Sequence, residues 1–213
     1  MFFLLLAAVL MLVKFVIGQK VLTAGRRNID IILKSLNEEN QLKLNSPVFK
    51  TSDPTKGQSG ADNNIFVFSS FTCSFCRQQA DVLDQLEKKY PNKVFIIWKD
   101  LAAPLDLTAR TAAVAARCAQ MQDKFWQFHD YLFTNQDDLT DETYPAIAKQ
   151  LNLDLDQFNQ CLDSQEPILL IESDIEEAAA LDVDATPYLF INGQRNSGAL
   201  TLDELEKKLN LKK

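Results

Sequence analysis

Twelve apolar residues in a row, Phe2 to Val13, open the chain, and the run resumes after Lys14 with Phe15, Val16 and Ile17. That length suits the hydrophobic region of a signal peptide. With Lys14 reaching out to the interface it equally suits a retained membrane anchor, so residues 1–18 are assigned to one or the other. Residues 19–45 read as a polar linker, helical in part where Ile29, Ile32, Leu33 and Leu36 recur at helical spacing. The folded domain begins near Ser46 and runs to residue 213. Its first stretch, "TSDPTKGQSGADNN" (Thr51 to Asn64), has the composition of a loop.

A short run of β-branched and aromatic residues, Ile65 to Phe68, then predicts a buried strand. Behind it the period changes. Cys76, Ala80, Leu83, Leu86 and Tyr90 mark one face of a helix that Pro91 stops. "KVFIIW" (Lys93 to Trp98) is a second buried strand, completing a β-α-β unit. From about 105 to 182 the pattern is helical. "TARTAAVAARCAQMQ" has Thr108 as its N-cap, "DKFWQFHDYLF" has Asp123 as its N-cap, and further helices are predicted over 141–150, 155–163 and 167–181. Strand periodicity returns at "PYLFI" (Pro187 to Ile191), followed by the hairpin signal Asn192-Gly193 and a partner strand from Gln194. Thr201-Leu202-Asp203-Glu204 is a capping box opening a last helix with Leu202, Leu205 and Leu209 on one face. The fold class is therefore α/β, with β-α-β and β-β-α halves of one small sheet separated by an all-helical insertion.

Composition adds limits. With 213 residues, 46% hydrophobic and 24% charged, the chain can build one ordinary core. A net charge of −7 with no Lys/Arg cluster excludes nucleic acid as the main partner. Four cysteines, Cys73, Cys76, Cys118 and Cys161, are too few for a disulfide scaffold at this length but enough for one redox pair and one staple.

Cys73 and Cys76 lie where strand gives way to helix. The unpaired N–H groups and positive dipole end of a helix start favour a thiolate at Cys73, and Cys76, one turn in, is placed to close a small disulfide ring. A thiolate attacking a disulfide forms a mixed disulfide that the second thiol resolves. Three other readings compete. Zinc needs two more ligands, for which Cys118, Cys161 and the lone His129 show no paired spacing. A permanent disulfide and two buried thiols are the others.

Thr186-Pro187 before the third strand adds a second part, and with it the chain resembles the thioredoxin superfamily, more narrowly the DsbA-like thiol-disulfide oxidoreductases. The resemblance covers residues 46–210 and rests on "FSSFTCSFC", "ARCAQMQDKFWQFHDYLF", "FNQCLDS" and "ATPYLFINGQ". It implies a thioredoxin-like fold with a helical insertion. Cys73 would be the nucleophile, Cys76 the resolving thiol, Pro187 a cis-proline and Thr186 a substrate contact. The implied activity is donation of disulfides to reduced cysteines of unfolded exported polypeptides, outside the cytoplasm, with a membrane redox partner for reoxidation. Neither cofactor nor metal is implied. A reductase or isomerase, or a non-catalytic binding module, is the alternative.

The chain departs from the family in three places. Val67 stands where relatives often carry an acid in the strand, Ser70 where they often carry Asp, and Ser74-Phe75 between the cysteines lacks both His and Pro. The expectation is a milder oxidant than a His-containing motif gives. Lys99 and Asp100, taken to lie just past the second strand, either tune the dithiol or form an ordinary solvated turn. Similar proteins with Cys at the places of Cys118 and Cys161 use them as a second, non-catalytic disulfide. His129 is read as a packing residue, and Phe125, Trp126 and Phe128 as core.

Overall fold

The computed structural model describes residues 45–212. The N-terminal segment (1–18) and, but for Asn45, the linker (19–45) lie outside the described residues. Strands β2 (Asn63–Ser69) and β3 (Val94–Asp100) pair in parallel, in the register Ile65↔Ile96, Val67↔Trp98 and Ser69↔Asp100. Helix α1 (Ser74–Lys89) connects them. Both strands are covered on both faces, which is why they read as unbroken apolar runs. Ile65, Val67, Ile96 and Trp98 pack with Leu83 and Leu86 of α1, whereas Phe68 packs on the opposite face against Ala178 and Leu181.

Strand β4 (Tyr188–Ile191) runs antiparallel to β2 and turns through Asn192 and Gly193, at φ 49° and 80°, into β5 (Gln194–Ser197). Such a turn needs positive φ at both central positions, which Asn-Gly supplies at little cost. Between the halves lie α2 (Leu107–Gln120), α3 (Phe125–Thr134), a 3₁₀ turn (Gln136–Asp138), α4 (Thr143–Gln150), α5 (Leu155–Leu162) and α6 (Glu166–Ala180). A disulfide between Cys118 of α2 and Cys161 of α5 ties this insertion together. Helix α7 (Leu202–Lys208) closes the chain behind a complete Thr201/Glu204 capping box. The α/β architecture with its helical insertion is the one the sequence predicts. Among the described residues no helix is long and apolar enough to cross a membrane.

Four local expectations are corrected. The loop expected over Thr51 to Asn64 contains an edge strand, β1 (Thr55–Gly57), antiparallel to β3, so the sheet order is β1-β3-β2-β4-β5. Three residues held by main-chain pairing carry no alternation to read. Gly57 there has φ +87°, and a Cβ would sit 2.4 Å from the Val94 carbonyl oxygen. The N-cap of α2 is Asp106, not Thr108, because the Asp106 side chain accepts from the Ala109 N–H at 2.9 Å. The N-cap of α3 is Lys124, not Asp123, which is held at φ 58° in the turn before it. Lys99 and Asp100 belong to β3 itself and are buried, so the solvated turn expected there does not exist.

Candidate active site

The end of β2 turns into α1 through Ser70 to Cys73, with the Cys73 N–H donating to the Ser70 carbonyl at 3.2 Å. Cys73 is the N-cap residue of α1. Its sulfur accepts from the Cys76 N–H at 3.3 Å, one of the donors that a helix start leaves unpaired. The same sulfur donates to the Thr186 carbonyl at 3.4 Å, although the two residues are 113 positions apart. The Thr186–Pro187 peptide bond is cis. Cys73 is part-exposed and Cys76 buried, and both are free thiols here. Burial pushes the Cys76 thiol up to about 12, and the Cys73 side chain adds to that, while the Ser69 hydroxyl and Ser70 backbone pull the other way. Of the two sulfurs, that of Cys73 is the one open to an approaching group.

Two clefts flank Cys73. One, of about 420 Å³, runs past Phe75, Val82, Pro187 and Leu200, and Phe75 is 60% exposed. The other, of about 330 Å³, lies between Thr72, Leu101, Pro104, Val183 and Thr186. A family model described as Thioredoxin matches residues 50–210.

The chain belongs to the thioredoxin family. Within that family its fold is shared with solved DsbA-like structures. The thiol-disulfide exchange protein alpha-DsbA2 of Wolbachia pipientis superposes with a TM-score of 0.71 at 23% identity, covering 86% of this chain and 97% of that one. BdbD of Bacillus subtilis gives 0.69 at 22% identity, covering 78% and 96%. A thioredoxin-like oxidoreductase from Silicibacter pomeroyi DSS-3 gives 0.70 at 22%, covering 76% and 92%. In sequence, the chain is 31% identical over 162 residues to a Na(+)/H(+) antiporter NhaA 1 of Mycolicibacterium gilvum, and 30% over 168 to NhaA 3 of Salinispora tropica. It spans about a quarter of the length of these curated relatives, 26% in each case.

Of the positions singled out in the sequence, this thioredoxin-family site brings together Cys73, Cys76, Thr186 and Pro187, with Ser74 and Phe75 in the first turn of α1. Val67 is buried in the wall behind Cys76. Lys99 is not brought to the pair. Its ammonium sits 2.9 Å from both Asp53 and Glu177 and 3.5 Å from Asp174, and donates to the Val48 carbonyl. Arg117 joins this buried cluster at 2.6 Å from both Asp100 and Asp174. Burial, with the Asp100 charge beside it, raises Asp174 to about 6 against the pull of Arg117 and Lys99. None of these groups contacts Cys73 or Cys76, and the cluster ties β3 to α2 and α6.

Two supports were missed. Gln136, in the 3₁₀ turn after α3, is buried and donates from Nε2 to the carbonyls of Phe71 at 2.7 Å and Cys73 at 2.9 Å. Thr72 donates to Asp106 at 2.6 Å and shares a hydrogen bond with Ser70. Neither residue has a pattern that marks it in sequence. His129 packs edge-on to Trp98 at 5.0 Å and to Phe133 at 4.8 Å between ring centroids. Phe125 and Phe128 are core, and Trp126 packs against it. Among the described residues no three His, Cys, Asp or Glu side chains converge to hold a metal ion.

Proposed function

We propose that the protein is a thiol-disulfide oxidoreductase that donates disulfides to cysteines of exported proteins through Cys73-Ser74-Phe75-Cys76. The observation that carries this reading is the Cys73 sulfur, part-exposed at a helix N-cap between the Cys76 N–H and the Thr186 carbonyl. In the oxidised form a substrate thiolate attacks Cys73 Sγ, and the Cys73–Cys76 bond breaks with its electron pair leaving on Cys76. A second substrate thiolate then displaces Cys73, so the substrate gains a disulfide and the protein is left as a dithiol. Thr186, before Pro187, offers its main chain to an extended substrate, and the cleft past Phe75 takes apolar side chains.

An extracytoplasmic location, periplasmic or at the cell surface, accords with the apolar segment Phe2 to Val13 and with the Cys118–Cys161 bond, which persists in an oxidising compartment. Reoxidation falls to a membrane redox partner. The equilibrium potential against glutathione tests the direction. A donor with this motif should lie between about −120 and −200 mV, and a value near about −270 mV would make it a reductase. Cys73→Ser should abolish oxidation of a dithiol peptide. Peptide oxidation that survives the substitution would reject the catalytic role and leave a binding module.

A further inference from the structure

Cys76 must lose a proton to resolve a mixed disulfide and regain one when displaced, yet it is 1% exposed and Val67 beside it is hydrocarbon. Directly behind it lies a narrow pocket of about 20 Å³, enough for about one water molecule. Its wall brings Cys76 and Ser69 together with His129, the chain's only histidine, and includes Lys56, Asp84 and Asp130. His129 is 3% exposed, boxed by the rings of Phe71, Trp98, Trp126 and Phe133. Its Nδ1 lies 2.9 Å from Asp130 Oδ1.

An ionised carboxylate only accepts, so Nδ1 carries the hydrogen and Nε2 keeps the free lone pair. Burial holds the ring below the usual histidine value, against the pull of Asp130, so it is neutral at pH 7. Asp130 has a side chain 63% exposed. It lines both this narrow pocket and a wider cleft with Arg77, Asp81 and Thr134, giving a polar route from behind Cys76 to solvent. The charged or titratable groups facing His129 are Asp130 on its own helix, Lys56 from β1, Cys76 and Asp84 from α1, and Asp100 from β3. Asp84 is already paired with Lys56 and Lys88, each at 2.6 Å.

Resting on the exchange chemistry proposed above, we infer that His129 relays the Cys76 proton through one water in this cavity. With Cys73 in a mixed disulfide, the Cys76 proton passes by way of the water to His129 Nε2. Cys76 Sγ bonds to Cys73 Sγ as the Cys73–partner bond breaks, and the partner sulfur leaves with the electron pair as a thiolate. The dithiol is oxidised and the partner reduced. The imidazolium, held by Asp130, releases its proton into the open cleft. In the reverse direction the same imidazolium protonates Cys76 as it is displaced.

Stopped-flow mixing of the reduced protein with an aromatic disulfide that releases coloured nitrothiobenzoate separates the two steps. The first release reports attack by Cys73, the second resolution by Cys76. In the wild type the second rate should be level around pH 7 and fall only below about pH 6.5, where the imidazole begins to charge. In His129→Phe it should drop about 100-fold at pH 7, in the range of a lost general base, and climb about tenfold per pH unit with the first rate unchanged. A second step with wild-type rate and pH plateau in that variant would overturn the relay. If His129→Phe does not fold, Asp130→Asn at its exposed position replaces it. A slowing of about tenfold with a solvent isotope effect near 2 supports the relay, and neither effect overturns it. Cys76→Ala guards the underlying reading: a second release that persists there refutes the exchange chemistry itself, whereas a defect absent only in the His129 and Asp130 variants refutes the relay alone.

Discussion

Replacing Gln136 by alanine removes the side chain that clamps the main chain of the cysteine turn from the helical insertion. Its Nε2 bridges the Phe71 and Cys73 carbonyls at 2.7 and 2.9 Å. The Cys73 carbonyl keeps two other donors, the N–H groups of Cys76 at 3.0 Å and Arg77 at 3.2 Å. The Phe71 carbonyl, on a residue 1% exposed, has no other donor among the described residues. A net hydrogen bond contributes about 1 kcal/mol, and an orphaned buried carbonyl costs about 1–3 kcal/mol. The expected loss is therefore about 2–4 kcal/mol in urea unfolding of the reduced protein. Gln136→Glu is the sharper test, because it keeps the shape but aims an acceptor at two acceptors, and it should cost more than alanine. A turn loosened by about 1 kcal/mol should also lower the iodoacetamide alkylation rate of Cys73 about fivefold at pH 7. The reasoning fails if the glutamate variant is more stable than the alanine variant, or if both lie within about 0.5 kcal/mol of wild type, the ordinary scatter of surface changes.

Three further outcomes follow from the geometry. The double replacement Cys118→Ala/Cys161→Ala opens a loop with a sequence separation of 43. It should lose up to about 4 kcal/mol by the chain-entropy argument, read as a lower urea midpoint, with peptide oxidation per folded molecule unchanged. Arg117→Met strands the buried carboxylates of Asp100 and Asp174 and should cost about 3–5 kcal/mol at pH 7.5. Asp174 is already raised to about 6 in the folded protein and losing Arg117 raises it further, so the deficit should shrink as pH falls toward about 6, where this carboxyl is protonated in both proteins. His129 works in the opposite sense: its folded-state value lies below 6.5, so an unfolded chain takes up a proton there that the folded one refuses. Relative to His129→Phe, the wild type should lose up to about 1.4 kcal/mol per pH unit below about 6.5, and parallel stability curves for the two would contradict the buried neutral imidazole.

The sheet and its helices were legible wherever burial imposes a period. Ile65 to Phe68 and Val94 to Trp98 are covered on both faces, and Asn192-Gly193 and the Thr201/Glu204 box act through their own local chemistry. Strand β1 was not legible, since its three residues owe their place to the β3 main chain and show no alternation. Lys99 misled because charge at a strand end usually means solvent. Its countercharges Asp53, Asp174 and Glu177 arrive from segments on either side of it in the chain, and only the fold collects them. Gln136 sits in "FTNQDDL", whose polarity reads as surface, and its burial comes from packing against a turn formed much earlier in the chain.

The supports of the cysteine pair therefore divide by origin. Cys73 meets Thr186 from the second half of the sheet, and the cleft past Phe75 is walled by α1 and the segment from Pro187 to Thr201. The insertion reaches the pair from behind, by Gln136 on the Phe71 and Cys73 carbonyls and by His129 across the narrow pocket from Cys76. Asp106, at the insertion's first helix, has its carboxylate occupied by Thr72 and the Ala109 N–H. On the proposed chemistry, rate and access are carried by different parts of the chain. Substitutions at Gln136 and His129 should change kcat for dithiol peptides while KM stays close to wild type. Phe75→Ala should instead raise KM for peptides with apolar residues beside the cysteine and leave kcat nearly unchanged, because the ring is 60% exposed and holds nothing in place. If Phe75→Ala lowered kcat and His129→Phe raised KM, the division between an insertion that tunes and a cleft that selects would be wrong.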